Sequence, residues 1–295
     1  METGNKIAVV QSSVNSNFHY TDESFNSSRS AHGYHLSIEL GLLSFSYAVL
    51  DVQAKKYVVW GREGHEYSDI DSLVSKLSYF LKNIDFLSSE YRSSSIAYCG
   101  FSSTLVPNIY ADETKEMELF AFNHQEDSGQ ICTDNLLNLE AKQIYSVPEK
   151  LVQWINQIWP KSTTLHLGSV LIEQLVVFSK SVDKICVYAN LKDAKMDLII
   201  ADNGQLKLYN SFGYMTSDDV VYYILFALEQ LEIRNYQVEL TLLGDIDSHG
   251  NLEELLSDYV KEVSFAKTQN RIELSSSFKQ PSHVGFSLFN QYLCV

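Results

Sequence analysis

His32 and His35 form an H-x-x-H pair just ahead of an alternating apolar run. Two imidazoles at that spacing chelate a metal on a helix face or a tight turn, and no third ligand lies nearby in the sequence. Tyr34 and His35 therefore read as the start of a sheet. Asp51 and Asp202 are a second pair, each closing a strand-like segment. Paired carboxylates in a cleft could do acid–base work. At a strand end, however, Asp accepts backbone N–H bonds and initiates a turn, which is the simpler reading. His166 and His249 have no Ser, Cys or Asp partner in sequence, and there is no G-x-S-x-G elbow to support a triad. Neither G-x-x-x-x-G-K-[ST] nor G-x-G-x-x-G occurs, which removes the commonest phosphate loops.

The elements that would position these residues are written in the apolar periodicity. Residues 11–30 are rich in Ser and Asn and lack such periodicity, so 1–31 is expected to be a flexible lead-in. Leu36, Ile38 and Leu40 alternate with Ser37 and Glu39, the alternation resumes at Phe45, Tyr47 and Val49, and 55–60 gives a third strand. Together they form a meander. Ser68 and Asp71 have capping-box spacing ahead of a helix whose Ile70, Leu73, Val74, Leu77 and Leu81 share one face. A strand over 95–100 follows, then a helix near 113–122, turn residues at 127–129, and a helix over 148–159 that stops at Pro160. In the second half 185–189, 195–201 and 205–210 read as strands, with Asn203-Gly204 as a two-residue hairpin turn. Thr216 and Asp219 cap a helix over 220–231 so apolar that burial on most faces is expected. A strand over 238–243, a turn at Gly244-Asp245 and a helix over 251–260 come next. A last helix carrying Phe286, Phe289 and Leu293 is expected to dock on a domain.

A three-stranded meander, a helix and a further strand thus occur twice. Aligning Asp51 with Asp202 sets the copies 151 residues apart with no gap through the first two strands. Duplication implies two similar domains facing each other, with any ligand in the cleft between them. The expected division is 32–160, joined by the helix of 281–295, and 161–280. This arrangement resembles the actin-like ATPase superfamily, which includes sugar kinases and the nucleotide-binding domain of heat-shock chaperones. In size it is closer to the cell-division actin homologue and the pilus-assembly actin-like platform protein. The stretch 34–60 is also similar to a bacterial family of unknown function thought to share this fold. The resemblance implies a mixed α/β class: duplicated ribonuclease H-like domains, each a five-stranded mixed sheet with flanking helices.

In that superfamily the turn between the first two strands of each domain cradles phosphate. It does so with an acidic residue followed two positions later by Gly, where the backbone approaches the ligand. Here the first turn reads Glu39-Leu40-Gly41-Leu42-Leu43, with Glu for the usual Asp and leucines where small or hydroxyl residues are expected. The second reads Asn190-Leu191-Lys192, with neither carboxylate nor glycine. Lys192 has two readings, a point charge on phosphate or a solvent-exposed turn lysine. Two acids organise Mg²⁺ and the attacking water in the superfamily, and Glu39 with Asn190 is a weak substitute. A third motif, a glycine pair against which adenosine lies, corresponds to Gly244-Asp245, where Asp could bond a ribose hydroxyl or serve the turn. The nucleotide set the resemblance implies, vestigial or not, is Glu39, Gly41, Asn190, Lys192, Gly244 and Asp245. It assigns no catalytic residue and no protein metal site.

Two functions compete on this basis. One is a binding or scaffold module with a degenerate nucleotide site, no obligatory cofactor and a protein partner. The other is an active ATP-dependent kinase or ATPase that uses Mg²⁺, with Glu39 as the metal-organising acid and Asp245 on the ribose. A chance repeat in an unrelated α+β fold is a third possibility. The formal charge of −15 disfavours nucleic acid and anionic lipid. No stretch approaches the roughly 20 apolar residues that span a bilayer, and the apolar run at 7–10 is too short for a signal peptide. Cys99, Cys132, Cys186 and Cys294 are scattered like small buried hydrophobes, which fits a reducing, cytoplasmic compartment.

Overall fold

The alternating run that begins at Tyr34 folds as three antiparallel strands, Tyr34–Leu40, Ser44–Asp51 and Lys56–Gly64, and a second meander follows at Ile185–Lys192, Lys195–Asp202 and Gln205–Gly213. The computed structural model describes residues 17–295 apart from 66, 68, 126–128, 247–250 and 269–271. Tyr34 pairs with Asp51 and Leu40 with Phe45, while Ile185 pairs with Asp202 and Leu191 with Met196. The offset of 151 is therefore the true register of both hairpins. Even the irregularity between second and third strands recurs at that offset, between Val49 and Leu50 and between Ile200 and Ala201. Bulges of this kind bend and twist a strand at a fixed place.

Each meander feeds a helix, Ile70–Asn83 or Ser217–Gln230, that returns the chain to a fourth strand parallel to the first. The fourth strands are Ser93–Tyr98 and Glu239–Gly244, and the parallel fifth strands are Thr163–His166 and Glu262–Phe265. Both sheets run third, second, first, fourth, fifth. The first is widened to seven strands by Phe18–Thr21, antiparallel, and Glu273–Leu274, parallel, along the outer edge of Lys56–Gly64. Residues 17–31 are thus no flexible lead-in, because a sheet edge orders 18–21; the rest of 1–31 lies outside the described residues.

The chain divides into two compact units. Among the described residues one holds 17–174, 268–281 and 285–295, and the other 175–267 and 282–284. The strand Thr163–His166 belongs to the first sheet, beyond the boundary expected at 160, because the fourth strand offers it a parallel edge. The helix Leu167–Ser179 was not expected, since its side chains are apolar on nearly every face and carry no helical period. Residues 101–147 hold a separate antiparallel sheet of Ser103–Pro107, Ala141–Val147 and Gln130–Leu136, with Val106, Phe120 and Ile144 beneath it.

Leu73, Leu77 and Leu81 of the first helix pack on Leu36, Ile38, Leu40 and Tyr47. Its capping box is made by Asp69 and Ser72, one residue later than the Ser68 spacing implied, and Ser68 itself lies outside the described residues. The Thr216–Asp219 box forms as expected. The helix it starts is not buried all round, for Tyr222 and Phe226 are 60% and 44% exposed. Among the described residues no helix is long and apolar enough to cross a membrane.

Candidate functional site

Alternation in the first strand implies one solvated face, yet Ser37 and Glu39 are as buried as their apolar neighbours. The cover is the end of the chain. Helix Phe286–Asn290 lies over this face, where the Tyr57 hydroxyl donates to the Phe289 carbonyl (2.7 Å) and Gln291 Nε2 donates to the Ile38 carbonyl (3.0 Å). Ser95 Oγ donates to Gln291 Oε1 (2.9 Å), and His35 hydrogen-bonds Ser93 (2.8 Å) and Ser95 (3.0 Å). Burial pushes the His35 imidazole down to about 4, so the ring is neutral at pH 7.

Glu39, at 1% exposure, is aligned across the ladder with Ser46, which is aligned in turn with Arg62. Residues directly opposite in a sheet share a face. Carboxylate, hydroxyl and guanidinium therefore form one buried row. Ser287 Oγ from the C-terminal helix donates to Glu39 Oε1 at 2.5 Å. Two residues on, the Gly41 amide donates to the Ser44 carbonyl (2.8 Å) and closes the hairpin. Of the two turn leucines, Leu42 packs on the core and Leu43 is half exposed.

In the second unit Asn190 occupies the Glu39 position, also at 1% exposure. Its Nδ2 donates to Asp197 Oδ2 (3.3 Å), and the Tyr209 hydroxyl donates to Asp197 Oδ1 (3.3 Å). Asp197 stands where the first repeat has Ser46, so the row's carboxylate has moved from the first strand to the second. Burial raises its pKa, against the hydrogen bonds of Asn190, Ser211 and Tyr209. Sequence reasoning missed Asp197. Pairing Asn190 across its hairpin would have found it.

Lys192 is buried at 3% exposure, not a solvent-exposed turn lysine, because the turn is only Asp193-Ala194 and Lys192 is still a ladder residue paired with Lys195. Both turn residues have positive φ, 51° and 59°. Gly244 has φ of 85°, and a Cβ there would sit 2.2 Å from the Leu191 carbonyl oxygen and 2.9 Å from Asn190 Oδ1. Its lack of a side chain is thus required by the first strand's backbone. The Asp245 amide donates to the same Leu191 carbonyl (2.6 Å). Asp245 is buried, and its charge helps hold the Tyr214 phenol up, after burial itself, and opposes the burial that lowers His283. Of the six residues, Glu39 and Gly41 lie in one unit. Asn190, Lys192, Gly244 and Asp245 gather in the other.

Asp51 and His166 make structural contacts. Asp51 accepts the Gln53 and Ala54 amides, at 3.1 and 2.9 Å, as a turn initiator does. Asn203-Gly204 has φ of 46° and 77°, the twist a two-residue hairpin needs. His166 Nδ1 accepts the Gly168 amide (3.0 Å), which leaves Nε2 as the N–H facing the Phe101 carbonyl (3.3 Å). Asp134 caps the start of helix Leu167–Ser179, accepting the His166 amide (2.7 Å) and Ser169 Oγ (2.6 Å) while Tyr145 donates to its other oxygen (3.1 Å). Burial pushes its carboxyl up to about 6. Among the described residues no group of three or more His, Cys, Asp or Glu could hold a metal ion. His249 lies outside them.

The family model described as protein of unknown function, DUF3822, matches residues 22–263. The chain belongs to the DUF3822 family. A protein from Bacteroides thetaiotaomicron VPI-5482, described as having an actin-like ATPase fold and unknown function, is similar to it with 24% identity, 82% of this chain and 93% of that chain covered, and a TM-score of 0.74. The PilM–PilN type IV pilus biogenesis complex is similar with 12% identity, 87% and 98% covered, and a TM-score of 0.53. No curated protein matches. This DUF3822 chain therefore has the actin-like ATPase fold, and the repeated sheet order is its duplication.

Proposed function

We propose that this DUF3822 chain is a binding or scaffold module whose nucleotide site has degenerated. The observation that carries the reading is the Ser287 hydroxyl on Glu39. A carboxylate with 1% exposure under the chain's own C-terminal helix is not presented to a metal or to water. The other residues fit ATP and Mg²⁺ no better. The Gly41 amide is spent on Ser44, Asn190 is spent on Asp197, and Gly244 is a glycine for the sake of Leu191. A chain of similar fold is solved within the PilM–PilN type IV pilus biogenesis complex, which supports a partner-binding use of such a fold. Isothermal titration of the full chain with ATP and Mg²⁺ is expected to give no heat of binding. Micromolar affinity with hydrolysis that Glu39→Gln abolishes would replace this reading with the ATPase one.

A further inference from the structure

The two repeats treat the outer edge of their third strands differently. In the first, residues 59–62 are paired antiparallel with Phe18–Thr21, whose Phe18 and Tyr20 lie beside Trp60 at ring-centroid distances of 5.0 and 6.4 Å. The matching positions in the second repeat are 208–211, because Leu208 aligns with Ile200 and Ser211 with Asp197, as Val59 aligns with Val49 and Arg62 with Ser46. Among the described residues no strand pairs with the outer side of Gln205–Gly213. The Ser211 amide donates to its neighbour's Asn210 Oδ1, which shows that this N–H points away from the second strand. A nine-residue strand whose outer side is paired by none of the described strands is a template for another strand.

Beside that edge the surface is aromatic. Phe212 stacks on Tyr223 at 4.5 Å, Tyr222 stacks on Phe226 at 5.9 Å, and Met215 is 81% exposed. The strand's one charged side chain, Lys207, is already near Asp202 (3.9 Å), while Asp218 and Glu229 are exposed on the adjoining helix. We infer that Gln205–Gly213 is a docking edge for an extended segment of a partner protein, added antiparallel, with aromatic or apolar residues at alternate positions and basic flanks. The first repeat displays the same solution within the chain, and the acidic surroundings favour a basic segment over a second copy of a chain with charge −15. This gives the binding-module reading a surface, and the ATP titration bears on neither its success nor its failure.

The test uses the full chain and a synthetic peptide, Lys-Lys-Phe-His-Tyr-Thr-Lys-Lys, which carries the strand that caps the first repeat. Hydrogen exchange over 208–211 is expected to slow by about tenfold or more in the presence of the peptide. Ser211→Pro, which removes an outward N–H, should abolish that protection. Tyr222→Ser with Phe226→Ser should weaken peptide binding about fivefold or more while leaving the strand ladder intact. Protection at 59–62 alone, no protection at all, equal binding of a version with Glu in place of every Lys, or an edge already protected in a concentration-dependent dimer would each overturn the assignment.

Discussion

At the scale of single residues, buried Asp134 and His35 give the protein's stability pH dependences of opposite sign. Asp134 titrates near 6 in the fold against an ordinary 3.8, so the folded state holds its proton more tightly. Its contribution to stability is fully present below about 3.8 and is lost as pH rises through about 6, by about 3 kcal/mol across the window. Asp134→Asn should flatten that dependence, so that the wild type loses ground to the variant between pH 4 and 6 in urea titrations. A constant difference would show that Asp134 stays ionised. His35 has the opposite sign, since its stability is present above 6.5 and lost as pH falls through about 4, and it is common to both proteins. Ser287→Ala deprives Glu39 of a hydrogen bond inside the fold, with an expected cost of about 1–3 kcal/mol for the buried oxygen that loses this donor. An unchanged denaturation midpoint would mean that Ser287 is incidental to Glu39. The sequence made Glu39 visible as a candidate. It did not show Ser287, 248 residues away, because nothing local to either residue encodes a contact between chain ends.

At the scale of elements, the turns separate what the repeat kept from what it changed. Asp193 and Ala194 both sit in the left-handed region, where Ala pays roughly 1 kcal/mol that Gly does not. Ala194→Gly is expected to raise stability by a few tenths to about 1 kcal/mol after the added chain entropy of Gly is set against the relief. A loss of stability would show that the turn geometry differs. Gly244→Ala adds a Cβ onto the Leu191 carbonyl at a positive φ and should cost several times more, read as a fall in thermal midpoint. Both meanders, their helices and their hairpin turns were legible because period-2 and period-3.6 patterns and Asn-Gly chemistry are local. Other elements were not. Phe18–Thr21 is too short and polar to signal a strand, and it forms because an edge is waiting for it. Leu167–Ser179 is apolar on nearly all sides, and Ser103–Pro107 becomes a strand only by pairing with the sequence-distant Ala141–Val147.

At the scale of the whole molecule, duplication has kept the sheets and let the contents of their polar rows diverge. One row carries Glu39 under a C-terminal helix, and the other carries Asp197 beside Asn190. The first unit is assembled from three separate stretches of chain, and its last stretch is held by Phe289, which lies 4.8 Å from the Tyr57 ring and 4.9 Å from Trp60. Removing a fully packed phenyl ring costs about 3–5 kcal/mol. Phe289→Ala should therefore speed hydrogen exchange across 34–64 and shift tryptophan fluorescence to the red as Trp60 meets water. Units with separate cores open independently, so exchange over 185–202 should stay within about twofold of the wild type. Equal acceleration in both meanders would mean that the two repeats unfold as one cooperative body, and the C-terminal helix would then be a clamp on the whole chain and not on the first sheet alone.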